Sequence, residues 1–137
     1  MPAKKAAPAV HGYSGKTLGE KLGVKPDKAA IALNAPAHYD TLFAGDAPKR
    51  GARGNADLVH LFCADRAAFA KGLKPALARV NEGGMLWVSW PKKSSKLFKD
   101  MTEDDIRAAV LPIGWVDVKV CAVDADWSGL KIVRRKK

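Results

Sequence analysis

Cysteine is scarce in this chain: Cys63 and Cys121 stand alone, each inside an apolar run. That excludes a disulfide framework and fits small buried hydrophobes in a reducing compartment. Metal-ligand spacing is also missing, because His11, His38 and His60 are scattered and no Cys-x-x-Cys or His-x-x-x-His pair occurs. No metal site is expected. No apolar stretch approaches the roughly 20 residues of a membrane helix, and Lys4 and Lys5 are followed by no apolar run that would make a signal peptide. A cytosolic protein is the expectation. A phosphate loop is absent as well: Gly12-Tyr13-Ser14-Gly15-Lys16-Thr17 ends in Gly-Lys-Thr, but the spacing from the first glycine is wrong and no strong strand precedes it. Acidic residues are few, 14 Asp and Glu against 24 Lys and Arg, for a formal net charge of +10 in 137 residues. Such a charge favours nucleic acid, anionic lipid or phosphorylated metabolites without choosing among them.

What is present reads as strands alternating with helices. Residues 1–10, rich in Ala, Pro and Lys, are expected to be a disordered tail, 11–134 a single domain and 135–137 a basic tail. Leu18 and Leu22, four apart, suggest a short helix from Lys16 to Leu22 with Gly23 as its stop. The apolar run 28–34 predicts a strand covered on both faces, followed by a short helix from Pro36 to about Phe43 and a loop over 44–56. A second strand spans 57–63. Asp65 caps the next helix, whose stripe of Phe69, Leu73, Leu77 and Val80 is interrupted by Gly72 and Pro75, so a kink or two short helices are expected. Asn81-Glu82-Gly83-Gly84 ends that helix. A buried central strand then runs to Trp90-Pro91 and delivers the basic, hydroxyl-rich loop Lys92-Lys93-Ser94-Ser95. Thr102 starts a helix with Glu103, Asp104 and Asp105 in its first turn. The residues 116–121 alternate with period two, and Leu130 to Arg134 returns as a last strand. This order calls for an α/β three-layer sandwich of Rossmann-like type, mainly parallel, with a C-terminal antiparallel hairpin.

Two resemblances bear on this pattern. The helix ending in Asn81-Glu82-Gly83-Gly84, followed by strand, helix and terminal hairpin, resembles the C-terminal half of Rossmann-like class I methyltransferases. The segments Gly12–Lys16, Leu33–Pro36, Val59–Phe62, Leu86–Lys93, Val116–Asp124 and Trp127–Lys131 resemble the domain of unknown function 3052 family of small bacterial proteins. That second resemblance implies the fold and lends no activity, substrate or catalytic residue.

Ligands of open α/β sheets sit beyond the C-terminal strand ends. There the sequence collects Asn34 and His38 after the first strand, Asp65 and Arg66 after the second, and Ser89 to Ser95 after the third. Lys92, Lys93, Ser94 and Ser95 suit a phosphate or carboxylate through charge-assisted hydrogen bonds, with Trp90 as a flat stacking surface and Ser89 at the strand end. A methyltransferase-type cofactor turn needs glycines after the first strand. Here Asn34-Ala35-Pro36-Ala37-His38 has none, and Pro36 removes a donor. His60 reads as a satisfied core histidine, and Cys63 lacks a histidine fixed beside it. The first reading is therefore a domain without evident catalysis that binds an anionic small molecule or a protein partner at that edge, with no cofactor. One alternative is non-specific nucleic-acid association through a basic loop and tail, using Lys49, Arg50, Arg53, Arg134 and Arg135. A degenerate or atypical S-adenosylmethionine-dependent methyltransferase is the other.

Overall fold

A computed structural model describes residues 16–136. The expected N-terminal tail, His11 and Tyr13 lie outside the described residues. Six strands form one sheet: β1 (Ala30–Leu33), β2 (Lys49–Arg50), β3 (Ala56–Phe62), β4 (Val80–Pro91), β5 (Trp115–Ala122) and β6 (Trp127–Arg134). Their spatial order is β2-β1-β3-β4-β6-β5. β2, β1, β3 and β4 run parallel, while β6 is antiparallel to both β4 and β5. The mixed α/β, mainly parallel, Rossmann-like sandwich with its antiparallel C-terminal strands is thus the architecture.

Period-two alternation sends the central strands' side chains to two separate cores. One face gathers Val59, Leu61, Leu86, Val88, Trp90, Leu130 and Ile132 under α2 (Arg66–Leu77) and α3 (Glu103–Val110). The other gathers Leu58, Phe62, Trp87, Val123 and Trp127 under α1 (Leu18–Leu22) and the segment that carries Tyr39 and Phe43. α1 begins at Thr17, whose hydroxyl accepts from the Glu20 amide while Glu20 reaches back to the Thr17 amide, and ends at Gly23 with φ of 90°. Thr102 makes the equivalent box with Asp105 at the start of α3.

Several local expectations are corrected. α2 is one element with Pro75 inside it, neither broken nor divided. Pro75 falls in the last turn, so its missing N–H removes a single helical bond. Gly72 is there for proximity: a Cβ would meet Leu61 Cδ1 at 3.3 Å, which lets the helix settle close onto β3. The 36–43 helix is reduced to a 3-10 turn over Tyr39–Leu42: the Pro36 carbonyl accepts from the Tyr39 amide and the His38 carbonyl from the Thr41 amide, and Arg50 also donates to the Pro36 and Ala37 carbonyls. The 44–56 loop contains β2, a two-residue edge strand too short to show a period.

Asn81–Gly84 is not a helix stop but part of β4, bulged where the register against β3 shifts between Ala56 and Leu58. Gly84 lies against β3 so closely that a Cβ would stand 2.6 Å from the Asp57 carbonyl oxygen and 3.0 Å from that of Asn81. Both neighbours are backbone and neither can swing away. Gly84→Ala is expected to lower stability by roughly 2–4 kcal/mol, read from the urea midpoint, because the bulge must open to admit it. A loss below about 0.5 kcal/mol would mean that the strands part easily at this point.

Candidate functional site

The chain leaves β1, travels outward to β2, and returns to β3 on the other side of β1. The connection after β1 crosses the α1 face and the one after β3 enters α2 on the opposite face. Strand order reverses between the C-terminal ends of β1 and β3, which marks the crevice position where sheets of this kind hold ligands.

Asn34 directly follows β1 at that position. It is exposed and has φ of 58°, alone among the described non-glycine residues in having a positive φ. Asparagine tolerates this left-handed conformation because its short amide can hydrogen-bond locally. Four residues on, His38 Nε2 lies 2.8 Å from Asp124 Oδ2, tying the β1 connection to the turn between β5 and β6. The imidazole is half-exposed and the carboxylate side chain only 10% so. Asp124 Oδ1 accepts from the amides of Asp126 and Trp127, both at 2.8 Å. Burial pushes the Asp124 carboxyl up, but the His38 contact and these two amide bonds outweigh it and hold it below the ordinary carboxylate range. Next to this turn, the buried indole Nε1 of Trp127 finds no acceptor among the described residues.

Beneath the crossing segment runs a buried polar chain. Tyr39 OH lies 2.8 Å from His60 Nδ1, and His60 Nε2 lies 2.7 Å from Ser89 Oγ. His60 and Ser89 are both fully buried. Burial pushes the His60 imidazole down to about 3, so it is neutral, with one ring nitrogen donating and the other accepting. This is the satisfied core histidine that the sequence suggested. The Cys63 thiol, buried in the α2 core, is pushed up to about 12 by burial and then by the charge of Asp65, and is no nucleophile.

The sequence-derived ligand residues do not form one site. Alternation points Trp90 to the α2–α3 face, while the His38–Asp124 pair belongs to the connection over the α1 face. Trp90 is 6% exposed, a core ring rather than an open stacking surface, and Ser89 is spent on His60. Lys92 and Lys93 border a separate cleft of about 380 Å³ with Trp90, Thr102, Ser128, Glu103, Asp104 and Arg107. Arg107 is already bonded to Glu103, Asp104 and Asp117. Ser95 donates to Asp126, and Ser94 is exposed in the loop. Asp65 caps α2 through the Ala68 amide and Arg66 pairs with Asp105, so neither enters the crevice as a free group.

No family model and no curated protein matches the chain, so the resemblance to the domain of unknown function 3052 family finds no support. Solved structures of similar fold do exist. Magnesium protoporphyrin IX methyltransferase from Synechocystis PCC 6803 with bound S-adenosylmethionine aligns at 17% identity and a TM-score of 0.46, over 69% of this chain and 50% of that one. A ribosomal protein L11 methylase from Lactobacillus delbrueckii subsp. bulgaricus aligns at 14% and 0.47, over 73% and 52%. The Methanococcus jannaschii fibrillarin pre-rRNA processing protein aligns at 13% and 0.44, over 77% and 55%. This chain spans about half the length of these proteins. The likeness is one of fold, of the class I methyltransferase kind that the hairpin topology suggested. The first functional reading, a domain without evident catalysis that binds an anionic small molecule or a partner, finds no support here: the solved structures that resemble this chain include methyltransferases, and what they share with it is the fold.

No helix among the described residues is long and apolar enough to cross a membrane.

Proposed function

We propose that the chain is an atypical S-adenosylmethionine-dependent methyltransferase domain acting in the cytoplasm, with its cofactor at the crevice between β1 and β3. The supporting observation is Asn34. A glycine turn after the first strand is required for two reasons, a left-handed backbone and close approach of a ligand. Asn34 meets the first with φ of 58°, and its exposure leaves the second open. The lack of glycine therefore weighs less against this reading than it does on sequence alone. The site is atypical in that Arg50, not an acid, ends β2, and Pro36 withholds one amide from the turn.

Bound S-adenosylmethionine supplies an electrophilic methyl group. On this reading the backbone around Asn34 would approach the cofactor. Asp124 fixes the His38 ring through Nε2, leaving Nδ1 without a partner among the described residues. From there His38 would take the proton of a substrate hydroxyl or amine as it becomes a better nucleophile.

Calorimetric titration with S-adenosylmethionine and S-adenosylhomocysteine tests this. A saturable one-to-one heat is expected in wild type and in Asn34→Gly. It should vanish in Asn34→Val, whose β-branched side chain resists the left-handed region. Circular dichroism would confirm that the variant is folded. No heat with either compound at millimolar concentration would overturn the proposal.

A further inference from the structure

The nucleic-acid residues suggested by the sequence are divided by the fold. Arg50 is committed to the Pro36 and Ala37 carbonyls and to Asp40. Arg134 lies over the Trp115 ring at 4.5 Å, and Arg135 donates to the Leu111 carbonyl at 2.8 Å. Moreover, β1, β3 and β4 lie between β2 and β6, about 19 Å at the usual strand spacing, so the loop and the tail form no common surface.

A different set of cations converges instead. A groove of about 800 Å³ opens beside the N-terminal ends of β1 and β2 and the loop between β2 and β3, and Lys25, Lys28, Lys49 and Arg53 all line it. They come from two separate stretches of chain and all four are exposed. Among the described residues none of these four side chains has a hydrogen bond or ion pair, so their charges are uncompensated by direct contact. Asp27 and Asp46 also line the groove, leaving an excess of two positive charges. The loop between β2 and β3 is held from behind: Arg79 donates to the Ala52 carbonyl at 2.6 Å and the Gly54 carbonyl at 2.7 Å. In that loop the Arg53 amide has no acceptor among the described residues, and the Asn55 side chain is exposed in the groove lining.

We infer that this groove binds the sugar-phosphate backbone of single-stranded nucleic acid. Unpaired cations and a free amide suit phosphate oxygens. The groove is concave, lined by the segment leading into β1, the segment leading into β2 and the loop after β2. A membrane fits poorly, because the exposed large apolar residues Leu97, Leu111, Ile113, Val118 and Val120 are all absent from its lining, so nothing there would enter lipid. No aromatic residue lines the groove, so base stacking and sequence preference are absent and binding is electrostatic. The inference stands on residues other than Asn34, His38 and Asp124 and survives failure of the cofactor proposal.

Fluorescence anisotropy with a fluorescein-labelled single-stranded oligonucleotide, as RNA and as DNA, over a salt series tests it. Three to four phosphate contacts predict a slope of roughly −2 to −3 in log K against log salt. Lys28→Ala/Arg53→Ala should weaken binding about tenfold at moderate salt and flatten the slope by about 1.4. Lys71→Ala/Lys74→Ala removes the same charge from exposed positions on α2 and should change affinity less than twofold. Equal losses in the two variants would overturn the groove and leave net charge alone as the cause. Absence of oligonucleotide binding would overturn it too, including the case where phosphatidylserine vesicles bind and Lys28→Ala/Arg53→Ala abolishes that.

Discussion

Lowering the pH from about 6.5 to about 4.5 is expected to cost the folded protein roughly 2–3 kcal/mol through His60 alone. The ring is fully buried between Tyr39 and Ser89, and burial pushes it down to about 3 from the ordinary value of 6.5. Between these values the unfolded chain carries a proton on His60 that the folded one does not. The unfolded state therefore gains with each step down in pH, and the stability conferred by the neutral ring is complete only above the unfolded value. The native carboxylates held low, Asp105, Asp117 and Asp124, add their own losses mainly at more acid pH, as it falls from the ordinary carboxylate value toward their lower folded ones. Urea midpoints measured across that interval should follow a slope of one proton. His60→Gln should remove the slope while lowering stability at neutral pH, because glutamine cannot reach both partners. A flat profile in wild type would mean that the ring reaches solvent.

Trp87→Ala should be about as costly, roughly 3–5 kcal/mol. Trp87 is fully buried in the middle of β4, and its indole Nε1 donates to the Leu22 carbonyl at 2.8 Å. It therefore fills the α1-side core and satisfies the end of α1 at once. α1 has only five residues, too few to be stable without this packing. Trp87→Phe keeps most of the apolar volume but strands a buried carbonyl, for a loss of about 1–3 kcal/mol. Hydrogen exchange should show α1 opening first in both variants. A loss under about 1 kcal/mol in Trp87→Ala would show that α1 is held elsewhere.

The long elements were legible from composition and period. The apolar runs around Val59–Phe62 and Leu86–Trp90 are central strands, and the stripe from Phe69 to Leu77 is a helix on them. What failed was short or polar. Lys49–Arg50 is a strand because β1 offers it an open edge, which no pattern in Lys-Arg announces. Asn81–Gly84 reads as a stop because its glycines are turn formers, yet one glycine serves a bulge and the other permits close backbone approach. The segment from Asp124 to Gly129 reads as a turn, and the run Asp124-Ala125-Asp126-Trp127 carries the chemistry that makes Asp124 an amide acceptor, but nothing in it marks Asp124 as part of a site. Its pairing with His38 crosses 86 positions of sequence, beyond any local signal.

By itself the sequence determined the layers, the mainly parallel sheet, the antiparallel close and the neutrality of His60, since each follows from which residues can be buried and at what spacing. It also carried the net positive charge. Tertiary structure alone decided which of those charges remain free. Arg50, Arg134 and Arg135 are consumed by carbonyls, an aspartate and a ring, whereas Lys25, Lys28, Lys49 and Arg53 meet in one groove. It likewise decided that Asn34 makes a left-handed turn and that Trp90 faces the core opposite to His38. Those outcomes depend on strand order and register, which are set by contacts between residues far apart in the chain and so are written in no single stretch of it.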